Sequence, residues 1–385
     1  MLKNILTGIS LTCFTAVPVI AQVAGGQRAM EYLRLSNAPH VTALGGMNVS
    51  NPDKDISFAL QNPSLMRPGL HNNLGLNYNA YYSGISVANL NYGYHIPKLE
   101  TSFTFGVQYL NYGNFALTDM LGNQTGEFKA NDYAITIGAS RQYLNKWRYG
   151  AAIKYAQSTL HDKNAYAALA DVGITYMDTA SMITIGAVAK NMGVMLKKYN
   201  PNNPAEPMPF DLQLGITKRF RYVPLRLIAT LHHLYEWDIR YDNPADRENN
   251  NLFGGGDTTE KAKTYFTDKL FRHFIFGAEI LIGKRILVSA SYNHMRRSEL
   301  MIKDKTGMAG FAYGVGVDLN KFQVHFARSH YHIAGAYNEF GINFALNKLM
   351  GLGKFGNKIH WEDTYPDWEF YSIPPTSAPA DVSGN

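Results

Sequence analysis

His273-Phe274-Ile275-Phe276-Gly277-Ala278-Glu279-Ile280-Leu281-Ile282 is the stretch that decides the fold. In an extended chain Phe274, Phe276, Ala278, Ile280 and Ile282 fall on one side, and His273, Gly277 and Glu279 on the other. Such period-two patterning marks a strand lying between two different environments. After a turn at Gly283-Lys284 the pattern resumes with Ile286, Val288, Ala290 and Tyr292. Working outward, the same unit recurs from Asn72 to Leu346. Leu74, Leu76, Tyr78 and Ala80 alternate with Asn73, Gly75, Asn77 and Asn79, and Phe103, Phe105, Val107 and Tyr109 with Thr104, Gly106 and Gln108. Counting these units gives about fourteen, an even number that suits a single-chain bacterial barrel.

Composition separates the two architectures that fit alternating strands. The 385 residues include 25 Tyr, 20 Phe and 34 Gly, yet only 17% are charged, against about 25% in soluble domains. Beyond the first 21 residues no stretch approaches about 18 consecutive apolar positions, which excludes helical spans. A tyrosine-rich, charge-poor chain without such spans points to an all-β, antiparallel transmembrane barrel with aromatic girdles. Its apolar faces would meet lipid and its polar faces the lumen. Residues 1–21 read as a signal peptide, with Lys3, an apolar stretch from Ile5 to Ile20, and small-residue cleavage after Ala21. Cys13 is the single cysteine, so a disulfide scaffold and cysteine-based metal sites are excluded. A net charge of +6 without a long basic run gives no basis for nucleic-acid binding.

The expected organisation is a signal peptide (1–21), an irregular N-terminal segment (22–71), the barrel (72–346) and a C-terminal periplasmic tail (347–385). Tight turns such as Asn145-Lys146 contrast with longer polar loops at 113–130, 197–209, 237–269 and 298–310, as on the two rims of a membrane barrel. The 237–269 loop carries Gly254-Gly255-Gly256. The tail carries Trp361, Tyr365, Trp368, Phe370 and Tyr371 before a Pro, Ser and Ala-rich end, and its aromatic part is expected to pack on the periplasmic rim.

Candidate chemistry is sparse. His330 and His332 share a strand face near His325, and His232-His233 form a second pair. A metal site there is conceivable, but no carboxylate pair sits at a convincing spacing, so lumen or interface histidines are the expectation. No Gly-x-Ser-x-Gly elbow is present, and Gly254-Gly255-Gly256-Asp257 lacks the Lys-Ser/Thr ending of a phosphate loop. A non-enzymatic protein without cofactor is expected. Asp53 and Asp55 could bind a cation or pair with lumen arginines such as Arg141 or Arg328, and pairing is the default for buried charge.

The segment before the barrel reads Leu35-Ser36-Asn37-Ala38, Thr42-Ala43-Leu44-Gly45-Gly46, then Asp53 and Asp55, then Gln61-Asn62-Pro63-Ser64-Leu65. It resembles the N-terminal hatch of the FadL-type outer-membrane barrels. The resemblance implies fourteen strands, a hatch inside the lumen, and Ala43, Leu44, Gly45, Gly46, Asp53, Asp55, Asn62 and Pro63 as its motif. Within that superfamily the chain is most similar to the PorQ branch of the type IX secretion system of Bacteroidetes, which is related to PorV. Gly25-Gly26-Gln27 and Tyr32-Leu33-Arg34-Leu35 fit that branch. Pro39-His40 stands where an arginine is common, and Ser64 where alanine is. The resemblance implies a non-enzymatic outer-membrane component of the attachment complex, anchoring a PorZ-like surface protein beside the PorU sortase and PorV, which join cargo to lipopolysaccharide. The alternative is a FadL-like transporter of hydrophobic small molecules. A passive porin fits less well, because a hatch of some fifty residues (22–71) would obstruct the lumen. Independently of any family, Gly45-Gly46 permits positive φ and Pro63 stiffens an exit turn. Irregular chain at membrane depth is tolerable only inside the lumen.

Overall fold

A computed structural model describes residues 28–240, 266–283, 285–300, 307–319, 321–332 and 335–349. The expected signal peptide, most of the 237–269 loop with Gly254 to Asp257, and the aromatic tail from 350 onward lie outside the described residues.

Fourteen antiparallel strands close into one barrel: β1 (Asn73–Ala80), β2 (Ser86–Ile96), β3 (Thr101–Thr118), β4 (Gln124–Tyr143), β5 (Trp147–Leu160), β6 (Lys163–Asp178), β7 (Ile183–Lys197), β8 (Asp211–Arg219), β9 (Leu225–Leu231), β10 (Phe274–Ile282), β11 (Ile286–Asn293), β12 (Phe311–Asp318), β13 (Phe322–His332) and β14 (Gly335–Ala345). Each strand pairs with its sequence neighbours, and β1 closes on β14 from Asn73↔Ala345 to Ala80↔Asn338. Closure leaves no free edge, the condition for a sheet to stand in hydrocarbon. Among the described residues no helix is long and apolar enough to cross a membrane.

The alternation resolves into two faces. Along β1, Leu76 and Tyr78 are exposed on the outside while Asn77 and Asn79 are buried on the inside. Along β10, Phe276 and Ile280 are exposed whereas Glu279 is fully buried. Large apolar side chains thus cover the outer wall and polar ones line the interior, the inverse of a soluble globule and the pattern of a membrane barrel.

Connections at one rim are short, among them 144–146, 179–182 and 220–224. The opposite rim carries 198–210, 232–273 and 294–310, the last two holding α3 (Phe266–Arg272) and α4 (His294–Leu300). Arg272 bridges Asp268 at 2.9 Å and also pairs with Glu299, which ties the two helices together. On the same rim Asp238 accepts from Arg240 and meets Lys269 at 2.7 Å. Those hydrogen bonds, Arg240 first, hold its carboxyl well below the usual carboxylate range.

One expected loop is largely strand. Residues 113–130 form the outer part of the β3–β4 hairpin, with Asn114↔Lys129 and Phe115↔Phe128 in register and only 119–123 outside the strands. The ladder shifts between Asn111 and Asn114. Past that bulge most side chains are exposed on both faces, so the two-environment signal disappears although pairing continues.

Candidate functional site

The lumen is filled by the chain's own beginning. Residues 28–71 start at the rim of long connections, where the Ala29 amide donates to the Pro207 carbonyl at 3.1 Å and Arg28 pairs with Glu236 at 3.2 Å. They end at the opposite rim, where the Asn72 amide donates to Gly93 and its side-chain amide to Asn347. Between these points run two short helices, α1 (Pro39–Ala43) and α2 (Phe58–Gln61). The hatch therefore passes through the barrel from one mouth to the other.

Local chemistry explains its shape. The Asn48 side chain accepts from the Ser50 and Asn51 amides, Asp55 from the Ser57 amide at 2.8 Å, and Asn62 from the Ser64 amide at 3.1 Å. Each is an Asx turn that satisfies backbone donors where no ladder reaches them. The hatch then bonds outward to the wall. Asn77 donates to the Asn37 carbonyl, Asn91 to Ser57 Oγ, and Lys190 to Gln61 Oε1. Ser50 meets Thr217 at 2.8 Å and Ser64 meets Thr175 at 2.6 Å.

A charged cluster sits where α1 and the following loop face β9, β10 and β13. Arg226 Nη1 donates to Glu279 Oε2 at 2.7 Å, to Asp53 Oδ2 at 3.0 Å and to Asn51 Oδ1 at 3.0 Å. Glu279 Oε1 lies 2.6 Å from His40 Nε2. The His40 ring stacks on His325, centroids 4.9 Å apart and planes 13° apart, and meets Phe58 edge-on. His40 Nδ1 lies 3.9 Å from Asp55 Oδ2. Nearby, Thr42 donates to Glu339. His40, Asp55, Arg226, Glu279, His325 and Glu339 are all buried.

The motif residues are distributed around this cluster. Asp53 belongs to it through Arg226, and Asp55 through His40. Ala43 and Leu44 are buried, Leu44 in an apolar group with Ala38, Val41, Phe58, Leu65 and the wall residue Ile228. Gly45 has φ 95°, and a Cβ there would sit 2.3 Å from Ile275 Cγ2 on the wall. Both the left-handed backbone and the close approach demand glycine. Gly46, φ 87°, lies against Arg296. Asn62 and Pro63 pack on the wall across from the cluster, and a Cβ at Gly173 would overlap Asn62 Oδ1 at 2.0 Å.

Two sequence expectations change. Asp53 pairs with Arg226, whereas Arg141 bonds the exposed Glu100 at 3.0 Å and Arg328 donates to Asn338. Arg226 holds an inward position of β9, opposite the alternating Leu225, Leu227, Ala229 and Leu231. The histidine grouping also differs. His325 joins His40 from the hatch, while His330 sits at the rim, its carbonyl accepting from the Gly310 amide. His232 and His233 form a separate buried cluster with His273. Sequence reasoning missed Arg226, Glu279 and Glu339 as site residues. Their signal was a charge at an inward strand position, as Glu279 in the opening stretch displays.

No family model and no curated relative matches this chain. Solved structures similar to it include the CymD monoaromatic hydrocarbon channel, at 12% identity and a TM-score of 0.49, covering 81% of this chain and 98% of that one. A TodX monoaromatic hydrocarbon channel mutant matches at 13% identity and TM-score 0.46, over 80% and 97% of the two chains. The KdgM porin matches at 4% identity and TM-score 0.30, over 71% and 98%. The architecture itself rests on the strand pairing: this chain is a closed fourteen-stranded membrane barrel with its N-terminal segment inside.

Proposed function

We propose that this protein is an outer-membrane barrel that takes up hydrophobic small molecules from the lipid-facing side of its wall, with the hatch as the element that admits them. One observation carries this reading. An apolar groove of about 550 Å³ opens on the wall across β8–β12, lined by Leu227, Phe276, Tyr292 and Phe311 and by the small Ala229, Ala278 and Ala290. Behind it the wall is thin in side chain. A Cβ at Gly277 would lie 3.2 Å from Leu44 of the hatch, and Ile228 packs in the same apolar group as Leu44. At Gly277 only the wall backbone separates the groove from the hatch's apolar corner, the kind of thin point a lateral apolar route requires.

The test is uptake of labelled fatty acid and of toluene by cells with and without the protein, and with Ala278→Trp, which fills the groove. Loss of uptake on deletion and in the tryptophan variant supports the reading. Unchanged uptake on deletion overturns it.

A second reading, a docking component of the type IX attachment complex, has its own observation. Trp237, Phe266 and Phe271 are exposed together at the rim of long connections, beside the charge-tied α3–α4 pair. Exposed aromatics on an ordered rim are the residues an anchored surface protein would bury. Loss of a PorZ-like surface protein from cells carrying Trp237→Ala and Phe266→Ala, with uptake unchanged, would favour this role.

A further inference from the structure

The structure assigns a divalent-metal site to His40, Asp55 and His325, at the seam between hatch and wall. Each of the three brings one ligand atom, and the three atoms lie within 4.8 Å of one another. All three residues are buried. His40 Nδ1, Asp55 Oδ2 and His325 Nε2 have no hydrogen-bond partner, while His40 and Asp55 bond through their other ring nitrogen and carboxylate oxygen. Three buried lone pairs left unpaired in one place are costly, unless something electron-poor lies among them.

The surroundings fit a cation. His40 Nε2 lies 2.6 Å from Glu279, so the neutral ring that donates there presents its Nδ1 lone pair toward Asp55. A carboxylate that orients the far nitrogen of a ligating imidazole is the usual outer shell of a histidine–metal bond. The Ser57 amide at 2.8 Å fixes the other oxygen of Asp55. Charge points the same way. Asp53, Asp55 and Glu279 supply three carboxylates around a single guanidinium, Arg226, and a fourth buried carboxyl, Glu339, accepts from Thr42. Acidic groups thus outnumber fixed cations at this seam, which favours a cation among them. Two imidazoles and one carboxylate suit zinc better than calcium or magnesium, which prefer all-oxygen sites. Coordination at metal–ligand distances of about 2.0–2.2 Å shortens the 3.9 Å span between His40 and Asp55 by well under an ångström, and it requires the near-parallel rings of His40 and His325 to turn until their lone pairs converge. Because two ligands come from the hatch and one from β13, the ion would rivet the plug to the wall.

The experiment uses the full-length barrel, purified in detergent with a tag free of histidine, stripped with chelator and titrated with zinc chloride. One zinc per chain is expected. Asp55→Asn and His325→Ala should weaken binding by roughly tenfold or more, and His330→Ala should leave it unchanged. Heat-modifiable gel mobility reports whether each variant still forms a barrel. X-ray absorption on zinc-loaded unaltered protein should show two imidazoles and no sulfur, independently of any variant. Absence of zinc binding by the unaltered protein overturns the site. So does an absorption spectrum without imidazole, or affinity unchanged in both ligand variants. None of these outcomes depends on what the barrel transports or anchors.

Discussion

Glu279 and Arg226 stand directly opposite each other in the β9–β10 ladder and close a 2.7 Å ion pair on the lumen side. Cross-strand register makes the pair, and the hatch completes it by supplying Asp53, Asn51 and His40. The wall therefore carries a preformed charged socket into which the hatch inserts.

Breaking that socket from one side should be costly. Arg226→Met leaves the buried Glu279 and the half-buried Asp53 without their cation, and removing one partner of a buried pair costs about 3–5 kcal/mol. The double variant Arg226→Met, Glu279→Met should recover part of the loss, because the fully buried Glu279 charge is gone and only Asp53 is left without its cation. Heat-modifiable mobility measured across a temperature series checks the order: unaltered protein, double variant, single variant.

Gly45 is a second lock. Gly45→Ala places a Cβ against Ile275 in a left-handed backbone, costing about 1–3 kcal/mol for the backbone alone. Adding Ile275→Ala removes the clash but deletes a buried side chain, itself worth about 2–5 kcal/mol. The double variant should therefore lose less stability than the two single variants summed. Strict additivity would show that the close approach contributes nothing.

The lipid-facing wall predicts a depth-dependent penalty. Ile153 lies midway along β5 and is exposed, while Leu144 is exposed in a turn at the rim. Ile153→Arg should destabilise the folded barrel by about 2–4 kcal/mol and Leu144→Arg by about 0–1 kcal/mol in lipid vesicles. Similar costs at both positions would contradict a membrane midplane near Ile153.

At the rim, Asp238 gives a pH signature. Its carboxyl is depressed by Arg240 and Lys269, so its contribution is complete above the unfolded carboxylate value of about 3.9 and disappears only as pH falls through the lower folded value. The difference in rim proteolysis between unaltered protein and Asp238→Asn should therefore persist at pH 4. A difference that vanishes between pH 5 and 4 would mean that the salt links do not form in solution.

Much of this was written in local pattern. Period two in Phe274–Ile282 and its repeats dictates strands between two environments, since successive side chains must point to opposite faces. Low charge and abundant tyrosine place the apolar face in lipid. Gly45-Gly46 is readable because its constraint is local, whereas the Asx turns of Asn48, Asp55 and Asn62, though satisfied within two or three residues, were not anticipated. The outer β3–β4 hairpin was not readable, because beyond its bulge both faces meet the same solvent and pairing leaves no periodic trace. The site was least visible of all. Arg226 and Asp53 are 173 positions apart, and His40 and Glu279 are 239 apart. Which of several inward charges meets which hatch residue is set by strand register and by the path of the hatch through the barrel. Those are long-range properties that only closure of the fourteen strands fixes, so sequence determined the barrel and its plug, while tertiary structure alone decided the charged seam that joins them.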